Sequence, residues 1–233
     1  MRLTIRLTSM FLIGALFLSS CSSDDESSNS QLEEFGEVQL KFENQFKNLS
    51  PIVLNQTIQT SNNGQKHLFS KLKYIVSNIA LTNSNGQEFR YHFNNPDKGA
   101  FIIDQQNAVL IEISINLDSI PAGNYTKIKF GLGISQDAYL LGMDHQGLFW
   151  SQASTAGMTW SWAAGYVFTI LEGNYGVDSP NRNFSNHTGN MGDVTQNNTP
   201  DLYREIELSF PTTMDVSPQG YPAIHIIADL NQF

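Results

Sequence analysis

The sequence predicts an all-β domain, an antiparallel β-sandwich or open barrel of about eight or nine strands with long loops at one end. Three observations carry this expectation. Apolar and polar residues alternate with a period of two over many short stretches, turn-forming residues separate those stretches, and no window sustains a long helical period. Across residues 109–117, Val109, Ile111, Ile113, Ile115 and Leu117 face one way, while Glu112, Ser114 and Asn116 face the other. The same pattern recurs in Val38, Leu40 and Phe42, in Thr126, Ile128 and Phe130, and in Ile206, Leu208 and Phe210. It returns near the end of the chain in Ile224, Ile226, Ala228 and Leu230. Asn63-Gly64, Asn85-Gly86 and Pro121-Ala122-Gly123 supply the turns. There is no internal repeat.

The first residues read as a targeting segment. Arg2 and Arg6 form a basic start, and an apolar run from Met10 to Leu18 follows. That run is far short of the roughly 18 residues a membrane-crossing helix needs. It ends in Leu18-Ser19-Ser20-Cys21, which reads as a lipobox. Residues 1–20 are therefore expected to be a lipoprotein signal peptide, with Cys21 as the site of lipid attachment. Cys21 is the single cysteine of the chain, and acylation would remove a lone thiol from an oxidising compartment. Residues 21–36 then form an acylated cysteine and a flexible acidic tether, rich in Ser, Asp, Glu and Asn. The run Ser23-Asp24-Asp25-Glu26 resembles the surface-export signal of Bacteroidetes lipoproteins. The expected location is the outer membrane, facing either the periplasm or the cell surface, with the lipid anchor as the membrane contact.

Residues 37–233 are long enough to form one domain without disulfides. Loss of Arg2 and Arg6 with the leader takes the formal charge from −9 to −11. Such a surface excludes nucleic acid as a partner, because phosphate binding relies on clustered Lys and Arg. Enzyme chemistry is not expected either. The thiol is committed to the anchor, and there is no Gly-x-Ser-x-Gly elbow and no phosphate-cradling glycine loop ahead of a helix.

Two long irregular stretches break the alternation, residues 131–157 and residues 174–201. Long loops in a compact β-domain are more often functional than idle. The first carries His145 and the second His187. All three tryptophans, Trp150, Trp160 and Trp162, lie close to the segment between them. On a strand, the i, i+2 spacing of Trp160 and Trp162 would put both rings on one face. Imidazole is a good ligand for transition metals and is available in its neutral form near neutral pH. His225 shares a strand face with Asp229, a carboxylate able to orient a ligating ring. His187, His145 and His225 are thus the candidate metal ligands, and Trp160 and Trp162 the candidate aromatic site. His67 and His92 are assigned no role.

The pattern Met158-x-Trp160-x-Trp162-x-x-Gly165-Tyr166-x-Phe168-x-x-Leu171-Glu172-Gly173, followed by Phe184-x-x-His187-x-Gly189, resembles the MbnP-like copper-binding proteins. The stretch from Leu72 to Leu81 is similar to that family's first long strand. Pro121-Ala122-Gly123-Asn124-Tyr125, leading into Phe130-Gly131-Leu132-Gly133, adds to the likeness, which spans residues 36–233. The resemblance implies a copper-binding envelope protein for storage, delivery or scavenging. It also implies that Trp160 or Trp162 is oxidised to kynurenine, whose aniline nitrogen joins the histidines, through a di-haem peroxidase-like partner. Within it His187 is the best-matched ligand. One departure stands out. The expected aspartate after Gly131-Leu132-Gly133 is Ser135, with Asp137 as its nearest substitute. The alternative reading is a surface lipoprotein that binds a glycan or a protein through aromatic loops, without metal, Trp150 being the ring suited to stacking.

Overall fold

The computed structural model describes residues 2–8, 33–47, 50–160, 165–193 and 199–232. In chain order the strands begin with β1 (Arg2–Thr8), β2 (Phe35–Phe46), β3 (Ser50–Pro51), β4 (Ile58–Thr60) and β5 (Lys66–Asn83). They continue as β6 (Glu88–Arg90), β7 (Phe101–Asp104), β8 (Glu112–Pro121), β9 (Gly123–Leu132) and β10 (Thr169–Gly176). The last are β11 (Arg182–Thr188), β12 (Met191–Asp193), β13 (Thr199–Asp201), β14 (Arg204–Val216) and β15 (Ala223–Asp229). Short helices α1 (Pro96–Gly99), α2 (Gln136–Leu140) and α3 (Gly147–Thr155) interrupt them. Among the described residues nine strands reach seven residues or more, and the rest are brief pairings along them.

Two open sheets make the expected sandwich. The smaller runs β1-β15-β2-β3 with β8 also on β2, and the larger runs β11-β10-β5-β9-β14 with β4, β6 and β7 on β5. The pairings are antiparallel except for β15 against β2, which run parallel. Arg2–Thr8, inside the segment read as a leader, lies along β15. Cys21 and Trp162 fall outside the described residues.

The period-two reading of the sequence converts directly into the inter-sheet core. Val38 and Leu40 on β2, and Ile224 and Ile226 on β15, are all fully buried there. Phe42 meets the rings of Tyr74 and Phe130 edge-on at 6.2 and 6.1 Å. Each such large side chain contributes ~1.5–3 kcal/mol through burial. Polar groups inside this layer are satisfied in a chain. Tyr74 donates to Asn44, Asn44 to Gln105, and Gln105 to the Ile52 carbonyl.

β5 shows why its sequence reads as a nearly unbroken apolar run. Tyr74, Val76 and Leu81 face the inter-sheet core, whereas Ile75 belongs to a second core on the opposite face of the same sheet. That second core holds Phe149, Met158, Tyr166, Phe168 and Ile170 under the helical segment. A strand covered on both faces loses its alternation.

Three local expectations are corrected. Residues 131–157 are not an irregular loop, for they contain α2 and α3. Residues 174–201 contain β11, β12 and β13, so His187 sits on an edge strand rather than in a loop. The strand expected from Val109 starts only at Glu112, and Val109 and Leu110 stand exposed in a tight turn.

Candidate functional site

The larger sheet presents an outer face that is only partly covered. Its upper part disappears beneath α3, and the helix ends above Lys73, whose Nζ donates to the Ala156 carbonyl and pairs with Asp104 at 2.8 Å. Below that boundary the register lays side chains out in rows. His187, Ile170 and Lys73 form one row across β11, β10 and β5, and Ser185, Glu172 and Lys71 form the next. Glu172 therefore lies diagonally opposite His187, within reach of both neighbours. One carboxylate oxygen is 2.7 Å from His187 Nε2 and the other 3.0 Å from Lys71 Nζ.

This geometry fixes the imidazole. When Nε2 carries the proton and donates it to Glu172, the lone pair resides on Nδ1. Desolvation acts to raise the Glu172 carboxyl pKa, but the hydrogen bonds and charges of His187 and Lys71 outweigh it and leave the group below its ordinary value. The carboxylate is thus ionised wherever the imidazole needs an orienting acceptor. A carboxylate behind a histidine sets its tautomer and raises its basicity as a metal ligand.

Trp160 arrives at the same rim from the helical side. After α3 the chain makes an antiparallel bridge from Thr159 to Tyr166, with Trp160 N–H bonded to the Gly165 carbonyl and Val167 N–H to the Met158 carbonyl. Thr159 and Tyr166 thus face each other on antiparallel stretches, while Trp162, the other half of the expected Trp160–Trp162 pair, lies outside the described residues. The indole Nε1 donates to the Gly189 carbonyl at 3.0 Å, and its ring centre stands 6.4 Å from that of His187.

The two halves of the sequence pattern are therefore one structure. Phe184 packs inward on Phe69, His187 points outward to Glu172, and Gly189 accepts from Trp160. Only glycine fits position 189, because a Cβ there would lie 2.4 Å from the Tyr166 carbonyl and 2.6 Å from the Phe168 amide nitrogen. Tyr166 is itself fully buried, hydrogen-bonded to Gln146 and edge-on to Trp150 at 5.0 Å.

The other candidate histidines lie elsewhere. His225 is on β15 with its ring toward Glu112, 3.1 Å away, on the outer face of the smaller sheet. His187 is on the outer face of the larger one. Sheets in a sandwich stack about 10 Å apart, so outward-pointing side chains from the two cannot share an ion. His145 is exposed in a short 3-10 turn before α3, whereas Trp160 follows the far end of that helix, whose nine residues span roughly 13 Å. Among the described residues, no group of three or more His, Cys, Asp or Glu side chains is placed to hold a metal ion. Ser135, standing where an aspartate was expected, caps α2 at the Ala138 amide and joins Asn78 and Asn94 in a polar node. It shapes a loop.

Sequence reasoning missed Lys71 and the role of Glu172, which entered only as part of the Leu171-Glu172-Gly173 pattern. Their value depends on cross-strand register, which a single sequence does not reveal.

A family model described as MbnP matches residues 35–233. Among solved structures the chain is similar to MbnP from Methylosinus trichosporium, at 12% identity over 76% of this chain and 72% of that one, with a TM-score of 0.46. A search of curated proteins finds no match.

Proposed function

The chain belongs to the MbnP family, and from that premise we propose that it binds copper at the rim where His187 and Trp160 meet. The supporting observation is the His187–Glu172 contact of 2.7 Å, which orients the imidazole beside an indole. His187 Nδ1 is then one ligand for copper, an ion for which imidazole nitrogen is well suited.

One imidazole is too little for a tight site. The donor set is completed if Trp160 or Trp162 is oxidised to kynurenine, because an indole nitrogen has its lone pair in the ring and an aniline nitrogen does not. In that conversion the C2–C3 bond of the indole breaks with uptake of two oxygen atoms. Hydrolysis then releases the formyl carbon as formate. The net change is one oxygen gained and one carbon lost. The oxidising equivalents come from peroxide through a di-haem peroxidase-like partner.

The role is storage, delivery or scavenging, without catalysis, by a protein held at the outer membrane through acylated Cys21. None of the described helices is long and apolar enough to cross a membrane. The competing reading, a glycan stacked on Trp150, fits the geometry less well because that ring is half-buried against Tyr166.

Peptide mass spectrometry of the native protein tests the proposal. A tryptophan in the peptide carrying Trp160 and Trp162 should show the one-oxygen, one-carbon exchange, and copper should co-purify. Unmodified indoles together with copper uptake equal in wild type and His187→Ala would refute it.

A further inference from the structure

The inner face of β11 borders a cavity that the copper reading does not use. It has a volume of about 410 Å³ and opens where the two sheets part, between Phe46, His67, Phe69, Tyr175, Phe184 and Leu230. Its walls are rings. His67 stacks on Phe69 at 18° and 6.2 Å, tilts against Phe46 at 5.8 Å, and meets Phe184 edge-on at 6.3 Å. Tyr175 closes on Phe184 at 6.4 Å.

Two polar groups in this lining are left unused. Among the described residues no hydrogen bond reaches the His67 ring nitrogens. Asn231, also in the lining, has a buried Oδ1 with no hydrogen-bond partner. Burial holds the His67 pKa below its ordinary value, so the ring is neutral near pH 7 and offers one N–H and one lone pair. A buried polar atom such as Asn231 Oδ1 is normally paired in native proteins, and the half-buried His67 ring adds, in the same wall, nitrogens with no protein partner among the described residues. Together they mark a place for a ligand beside the apolar cavity. There is no Asp, Glu, Lys or Arg among the lining residues to favour a charged molecule.

We propose that this cavity binds a small, uncharged, planar aromatic molecule bearing an N–H or O–H donor, with its ring lying against Phe69, Phe184 and Tyr175 and its donor on the His67 imidazole. The size of the space sets the class, since about 300–1,000 Å³ is the range of small-molecule pockets. Recognition here is separate from the outer-face site, because Phe184 and Asn186 point inward from β11 while Ser185 and His187 point outward.

Indole and its carbon analogue indene, which lacks the N–H, are suitable probes, titrated by ligand-observed NMR into the full-length protein. Wild type should bind one indole saturably. His67→Leu should weaken indole about tenfold, the equivalent of one well-formed hydrogen bond, while leaving indene within about twofold. Asn186→Trp, a change at an exposed position on the mouth, should abolish binding of both probes and leave copper content unchanged. No saturable indole binding by wild type, retention of binding by Asn186→Trp, or equal weakening of the two probes by His67→Leu would each overturn the assignment.

Discussion

At the scale of single residues, the outer-face rim depends on one carboxylate that serves two partners. Glu172→Gln keeps the shape but removes the charge, so His187 loses its orienting acceptor. Loss of such a partner typically costs 10–100-fold in metal affinity, and chelator competition should read about that loss. The same residue carries a pH signature. Its folded pKa lies below the ordinary 4.5, so its contribution to stability is complete above that pH and fades as pH falls through the lower folded value. The stability difference between wild type and Glu172→Gln should therefore be constant at neutral pH and vanish under stronger acid. The side chains of Glu172 and His187 remain 25% and 33% exposed, which limits the pair to about 0–1 kcal/mol. A larger difference by denaturant titration would mean that Glu172 supports the fold and not merely the site.

At the scale of elements, legibility followed how many faces an element buries. β2 buries one face, and Val38, Leu40 and Phe42 announced it. β11 buries almost nothing, and its Asn- and Ser-rich sequence read as loop because only the edge pairing with β10 makes it a strand. α3 was illegible for a related reason. Phe149 and Ala153 are its fully buried residues, a single i, i+4 pair with no repeat. Its N-terminus also has no local cap. The Phe149 amide is instead held by Asp97 of α1 at 2.8 Å, fifty-two residues away. Asp97→Ala should then cost about 0.5–2 kcal/mol, the usual value of an N-cap, measurable as a lowered denaturation midpoint. Gly189→Ala tests the opposite end of the rim. Its new methyl would press on backbone atoms of Tyr166 and Phe168, with no side chain able to yield, so β11 must shift. A loss of about 1–3 kcal/mol is expected, with Trp160 fluorescence changed as its Gly189 partner moves.

At the scale of the molecule, the larger sheet serves two cores at once, and the rim carrying His187 and Trp160 lies where the second core stops. The sandwich itself was readable because its core rests on alternation. The rim was legible only as residue types, since His187 and Trp160 are brought together by the β10–β11 register and by the Thr159–Tyr166 bridge, which no spacing rule encodes. His225 and His145 show the limit of reasoning from type alone. This division of labour predicts that the site adds nothing to the apo fold. The His187–Glu172 pair is worth little at the surface, so apo wild type and apo His187→Ala should melt together within about 1 kcal/mol of stability. Copper bound only to the native state should stabilise wild type by about 2.7 kcal/mol at a hundred times its dissociation constant. His187→Ala should show no such shift under the same loading. Calorimetry on natively expressed protein, where the proposed tryptophan modification would be present, reads both comparisons in one experiment. Equal copper-induced shifts in the two proteins would move the metal away from this rim, whereas unequal apo melting would give His187 a structural role that its exposure on an edge strand does not allow.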